Sequence, residues 1–324
     1  MRILVYGAIL LLVVLGCESD FNPKGPFYDR MVVYSVLSPG STTQFARVFT
    51  TYNPPGFNPL ESTASNQVAN ATVSIASGAS LFMFHETTFV RTDLSRYQDS
   101  VRAFVASPVN LVRGNTYALT VVSPSYGTVT ASMTIPGADG SIAVDPSSLP
   151  ALTQPGLISN DIFVFATPSE SGQGHLIQVY LEYEIAAVPG VYMREEIPVK
   201  ITNYRDCLTF DAVYPEIRRR QSGSADELWT FPHLNYQRII LKILKQHEGQ
   251  IVNFRRVIFN LTQADQNLYS YLSLVNGFRD EFSIRVDRPN YTNVQGGLGL
   301  FGSFAADSIA INVGPMFSGL TCPQ

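Results

Sequence analysis

Among the residues whose types and spacing could do chemistry, Cys17 has the clearest setting. Arg2 gives a short positive start, and Ile3 to Leu15 is an almost unbroken apolar run ending in Val14-Leu15-Gly16-Cys17. Its 13 residues fall short of the roughly 20 that a membrane-spanning helix needs, and have the length of a signal-peptide core. Small Gly16 suits a peptidase subsite, and a thiol is what a diacylglyceryl transferase modifies. The Leu-x-Gly-Cys spacing therefore reads as a lipobox: a signal peptide over residues 1–16, cleavage before Cys17, and lipid (acyl chains such as palmitate) on Cys17 as the membrane anchor. Each buried CH₂ of such chains adds roughly 0.8 kcal/mol, and two or more anchor stably. The alternative is an ordinary secretory signal with an accidental cysteine.

The other two of the 3 cysteines, Cys207 and Cys322, could form a disulfide in an oxidising compartment, closing a loop of roughly 115 residues, or could remain free thiols. Asn203 to His233 has little sheet periodicity and carries Tyr214, Arg218-Arg219-Arg220 and Trp229, the only tryptophan. Arginines beside an indole could grip an anionic or sugar-like ligand or a partner protein. The favoured alternative is a solvated basic loop with Trp229 in the core. Asn53 to Asn70, rich in Pro and Asn, reads as simple surface.

Several letter patterns fail on their chemistry. Gly297-Leu-Gly-Leu-Phe-Gly302 matches a dinucleotide fingerprint by letters, but the 22 residues after it alternate like a strand and offer no acid at the required distance. Its glycines are expected to allow close backbone approach instead. His85-Glu86 and His247-Glu248 lack the second histidine four residues on, where Phe89 and Ile251 stand. No Gly-x-Ser-x-Gly elbow occurs, and the Asp and Glu residues are scattered. The expectation is no catalytic residue, no metal and no cofactor.

The elements that would position these residues are mostly strands. Hydrophobic residues make up 45% and charged residues only 15% of the 324, with 16 Tyr and 20 Phe, a balance that suits a folded β protein. A net charge of −4 gives no field to draw in nucleic acid. Residues 17–29 read as a lipidated tether. From 30 to 136 apolar and polar residues alternate, as in Val129, Ala131, Met133 and Ile135, and Gly114-Asn-Thr-Tyr117 resembles the corner of an immunoglobulin-like β-sandwich, whose tyrosine hydroxyl bonds back to the backbone. Residues 137–160, rich in Gly, Pro and Ser, read as a linker. Residues 161–324 read as a larger β-rich domain. Its first strand should place His175, Ile177, Val179, Leu181, Tyr183 and Ile185 on one side, with further strands at Pro198–Thr202, Gln237–Lys245, Ile251–Leu261, Phe282–Asp287 and Ser308–Val313. One packed helix is expected near 263–276: Thr262-Gln-Ala-Asp265 starts it with a capping side chain and an acid in the first turn, Leu268, Tyr271, Leu272 and Val275 form its stripe, and Gly277 ends it.

Ala71-Thr-Val73, Gly114 to Leu119, Tyr269 to Leu272 and, most specifically, Asn293 to Gly302 resemble the ordered motifs of a Bacteroidetes outer-membrane lipoprotein family known as domain of unknown function four-two-four-nine. Leu300 departs from its commoner β-branched residue, and Cys322 has no place in the pattern. The resemblance implies an outer-membrane lipoprotein, often encoded near TonB-dependent receptors, with no established activity. Glu18-Ser19-Asp20 also resembles the acidic surface-export signal of Bacteroidetes lipoproteins, which favours the cell surface over the periplasmic face. The expected role is that of a non-catalytic accessory that binds a ligand or docks on a TonB-dependent receptor. A structural or adhesive surface protein, and a hydrolase with a dispersed site, are the alternatives.

Overall fold

The computed structural model describes residues 27–53, 66–90, 100–156, 158–221, 226–277 and 291–313. The signal peptide, Cys17 and most of the tether lie outside the described residues, as do Cys322 and the strand expected at Phe282–Asp287. The protein is mainly β. Seven strands form the first half: β1 (Met31–Leu37), β2 (Gln44–Thr50), β3 (Thr72–Ser77), β4 (Ser80–Val90), β5 (Ser100–Ala106), β6 (Thr116–Ser123) and β7 (Gly127–Thr134). The alternation read in the sequence is the burial pattern: Tyr117, Leu119 and Val121 of β6 and Val129, Ala131 and Met133 of β7 are buried, and the intervening residues face outward. β4 is long enough to pair with β3 through Ser80–Phe84 and with β5 through His85–Val90. It thereby links β5 to β3 within one continuous mixed sheet, and the strands of this half share one core. At the corner before β6, the Val112 N–H donates to the Tyr117 hydroxyl at 2.8 Å.

The second half contains β8 (Ser141–Val144), α1 (Leu149–Thr153), β9 (Ile162–Thr167), β10 (Gly174–Ile185), β11 (Met193–Glu196), β12 (Lys200–Thr202), β13 (Asp211–Val213), β14 (Arg218–Arg219), β15 (Glu227–Phe231), α2 (His233–Gln246), β16 (Val252–Ala264), α3 (Gln266–Gly277) and β17 (Leu298–Asn312). Residues 137–160 are thus more than a linker. β8 pairs with β9, and Leu152 of α1 is fully buried beside Ile162, because the prolines there start a helix rather than exclude structure.

The strand expected at Gln237–Lys245 is a helix. Tyr236, Ile239, Ile240 and Ile243 stand at i, i+3, i+4 and i+7, and all four are buried against β10 and β16. That packing outweighs the strand preference of three isoleucines. Among the described residues there are therefore three α-helices, where one was expected.

β17 ties the halves together. Leu298–Ser303 runs parallel to β1, and Phe304–Asn312 continues antiparallel to β16. Val294, Phe301 and Ala305 enter the core of the first half. The expected division, which gave all of 161–324 to a separate domain, is corrected by this strand: the core built on β1–β7 includes residues from beyond 290. The glycine motif explains how. Gly299, at φ +118°, lies against the backbone of Val33 with no room for a Cβ, and a Cβ on Gly297 would also clash, less severely, with the carbonyl of Met31. Asn293 fastens the turn, donating from Nδ2 to the Phe301 carbonyl at 2.7 Å and accepting from the Phe301 N–H at 2.9 Å.

Candidate functional site

The segment from Asn203 to His233 is more ordered than its weak periodicity suggested. β12 and β13 form a two-stranded hairpin. Asp206 closes its tip by accepting from the N–H groups of Leu208 and Thr209 at 2.8 and 2.9 Å. These bonds, Leu208 first, hold its carboxyl below the usual aspartate range. The hairpin rests on α2, with the Arg238 guanidinium 4.2 Å from the Tyr204 ring centroid and Lys242 Nζ 6.0 Å from that of Phe210. Cys207 is buried and disulfide-bonded, whereas its expected partner Cys322 lies outside the described residues.

After the hairpin the chain meets the outer edge of β10. Arg218 pairs with His175 and Arg219 with Gly174, so the short β14 is a splint on the sheet edge. The Arg220 N–H continues it by donating to the Gln173 carbonyl at 2.8 Å. Gly174 is required here, because the Tyr269 ring and Ile217 fill the space a Cβ would take.

Two concavities are lined in part by this segment. The larger, about 810 Å³, has Leu176 and Gln178 of β10 and Phe304 of β17 among its lining. Tyr214 and Ile217 stand on one side, and Leu272 of α3 on the other. Its volume is that of a small-molecule site. At its polar side Gln178 Nε2 donates to Glu196 Oε1 at 3.2 Å. Burial pushes the Glu196 carboxyl and the Tyr214 hydroxyl upward in pKa, so both favour their neutral forms more than in water. The smaller concavity, about 720 Å³, is lined by Gln173, Arg219, Arg220 and Gln221.

Trp229 is not part of an open pocket. It is in the core at 1% exposure, with the Arg218 guanidinium 3.5 Å from its ring centroid and the His175 ring edge-on at 5.8 Å. The basic triplet and the tryptophan do meet, but only Arg218 touches the indole. His175 is fully buried, and its Nε2 lies 2.9 Å from Glu227 Oε2, off the line of a good hydrogen bond. Burial lowers its pKa against the opposing pull of Glu227, which keeps the ring neutral. A neutral imidazole walled off from solvent cannot exchange protons with a bound substrate.

The other histidines do not gather: His85 is on β4, and His233, 3.5 Å from Asp161, and His247, 3.4 Å from the Tyr183 hydroxyl, stand at opposite ends of α2. Among the described residues no three His, Cys, Asp or Glu side chains gather as a metal site would require.

Sequence reasoning reached Tyr214 and the arginines but missed Leu176, Gln178 and Phe304. Their polar–apolar alternation marks strands, and nothing in one strand announces a cavity assembled from several elements.

The chain belongs to the family described as Domain of unknown function (DUF4249), whose model matches residues 18–310. The match includes the glycine motif that seats β17 on β1. Comparison with curated proteins finds no match. Among the described residues no helix is long and apolar enough to cross a membrane.

Proposed function

We propose that this chain is a non-catalytic outer-membrane lipoprotein, anchored by lipid on Cys17 and facing the cell surface, that serves as an accessory by binding a ligand or docking on a TonB-dependent receptor. The observation that carries the ligand-binding reading is the concavity of about 810 Å³ between the Tyr214–Ile217 segment and α3. Apolar walls with a few polar groups at one side are the usual make-up of a small-ligand site.

A crosslinked pull-down from outer membranes tests the accessory role: a receptor should be recovered with the wild-type chain. Recovery of none would remove that role. The anchor is tested separately, since Cys17→Ser should leave the protein unprocessed or soluble. A variant that stayed membrane-bound and normally cut would defeat the lipid assignment.

One observation favours the adhesive reading as second. The outer face of the β3–β4–β6 sheet exposes Leu81, Met83 and Val122. An apolar patch on a flat sheet face is suited to contact with another macromolecule.

A further inference from the structure

The three consecutive arginines have three different fates. Arg218 is committed: its guanidinium lies on the face of Trp229. Arg219 and Arg220 are not. Among the described residues neither stands within ion-pair distance of a carboxylate. Arg220 makes one long side-chain bond, from Nη1 to the Glu170 carbonyl at 3.4 Å. Its Nε is buried with no hydrogen-bond partner. Asp139 feels Arg220 as the least of its influences, and its carboxylate is already taken by the Ser169 hydroxyl at 2.6 Å and the Glu170 N–H at 2.9 Å.

These free guanidiniums are not at the end of a loose loop. The backbone pairing of Arg219 with Gly174, and the bond from Arg220 to Gln173, fix both residues to the edge of β10. Their side chains border the cleft of about 720 Å³ together with the amides of Gln173 and Gln221. Arginine and glutamine side chains offer N–H donors, and two guanidiniums with no carboxylate within ion-pair distance among the described residues bring positive charge to the cleft. A buried Nε–H without an acceptor is a donor waiting for one, because buried polar groups are normally bonded. Guanidinium forks match the paired oxygens of a carboxylate or phosphoryl group.

We propose that Arg219 and Arg220, with Gln173 and Gln221, form the subsite for an oxyanion group, carboxylate or phosphoryl, on a small ligand, and that Arg218 is the peg that holds the pair in place by lying on Trp229. This rests on the ligand-binding reading above and gives it a chemical class. The two concavities share no lining residue. The two sites are therefore separable by mutation.

The test is isothermal titration of the folded chain with inorganic phosphate and, in a second arm, with citrate, so that phosphoryl and carboxylate sources are told apart. Saturable binding of at least one anion is expected, with a dissociation constant of roughly 1 mM or tighter. Arg219→Gln and Arg220→Gln should each weaken it about tenfold or more, and Arg220→Lys should also weaken it, because the charge stays but the fork is lost. Arg205→Gln makes the same charge change outside the cleft and should leave binding unchanged. Thermal melts confirm that each variant is folded, and Arg220→Lys keeps the test open should a Gln variant fail to fold.

No saturable binding of either anion, or an equal loss in Arg205→Gln, would overturn the proposal. A wild-type chain that recovers a receptor in the pull-down yet binds neither anion would sink the oxyanion subsite alone. Failure of both would remove the accessory reading as well.

Discussion

Arg113 and Asp307, 194 positions apart, meet in a two-pronged ion pair, Nη1 to Oδ1 at 2.6 Å and Nη2 to Oδ2 at 2.9 Å. The arginine belongs to the corner before β6 and the aspartate to the second part of β17, so the pair clamps the two halves beside the point where that strand passes between them. Arg113 also donates to the carbonyls of Pro136 and Gly137, and Asp307 accepts from Gln263 at 3.1 Å. Both side chains are mostly shielded, so the pair escapes the screening that makes surface ion pairs nearly worthless. Arg113→Met should lower the unfolding free energy by ~1–3 kcal/mol, since it strands a part-buried carboxylate and two carbonyls. Urea titration of wild type and variant measures it. A midpoint that did not move would show the clamp to be unimportant.

Gly299→Ala should be far more damaging than its one added methyl suggests. The residue sits at φ +118°, where an L side chain is strained, and a Cβ would overlap the Val33 carbonyl on β1. The parallel β1–β17 ladder would have to open, exposing Phe301 and Ala305. The expected loss is on the order of 3 kcal/mol or more, read as a large fall in melting temperature or loss of soluble protein. Gly78→Ala is the comparison. It also has positive φ, but nothing lies within 4 Å of its Cβ position, so only the backbone cost of about 1 kcal/mol applies.

What the residues disclosed in advance depended on whether one element or several carried the information. The face formed by His175, Ile177, Val179 and Leu181 could be read from β10 alone, because alternation is a property of a single strand. The start of α3 was legible only approximately: the signal at Thr262–Asp265 is there, but β16 runs on to Ala264 and the helix begins at Gln266. The helix α2 was misread because Ile239, Ile240 and Ile243 suit either state. Their spacing with Tyr236, at i, i+3, i+4 and i+7, is nonetheless a helical signal in the sequence itself, and all four are buried together. The closing glycines could be read as sites of close approach, but not that the approaching backbone is Val33, at the other end of the chain. The concavities were illegible for the same reason: Gln178, Tyr214 and Phe304 are ordinary residues until the fold brings them together.

Arg218→Gln should unlock the only tryptophan. The guanidinium 3.5 Å from the Trp229 centroid covers the indole on its solvent side. Such contacts are worth ~0.5–2 kcal/mol, more when desolvated. Loss of the cover should lower stability by ~1 kcal/mol and let water reach the ring. Because the chain has 1 Trp, its emission reports this site without interference. A red shift and easier quenching by acrylamide are expected. An unchanged spectrum would mean that β14 holds the indole shielded without Arg218.

Asp265 makes stability depend on pH in the direction opposite to most carboxylates. It is the N-cap of α3, with the Leu268 N–H donating to Oδ1 at 2.8 Å, yet it is 2% exposed and its Oδ2 has no hydrogen-bond partner. Burial pushes its pKa up to about 6, against the bonds from Leu268, Ser303 and Asn267 that favour the anion. The folded state therefore holds its proton where the unfolded chain, at the ordinary aspartate value near 4, has released it. Below about pH 4 the group imposes no penalty; between about pH 4 and 6 stability falls as pH rises, and above that the cost is constant, on the order of 3 kcal/mol. Asp265→Asn keeps a good capping side chain and cannot ionise. Its advantage over wild type should therefore grow from about pH 4 to about pH 6 and then level off. Urea titrations of both chains across that range isolate the contribution of Asp265, since the other carboxylates are common to the two. A difference that stayed flat with pH would mean that Asp265 is ionised throughout, and that its unpaired oxygen is better solvated than its burial implies.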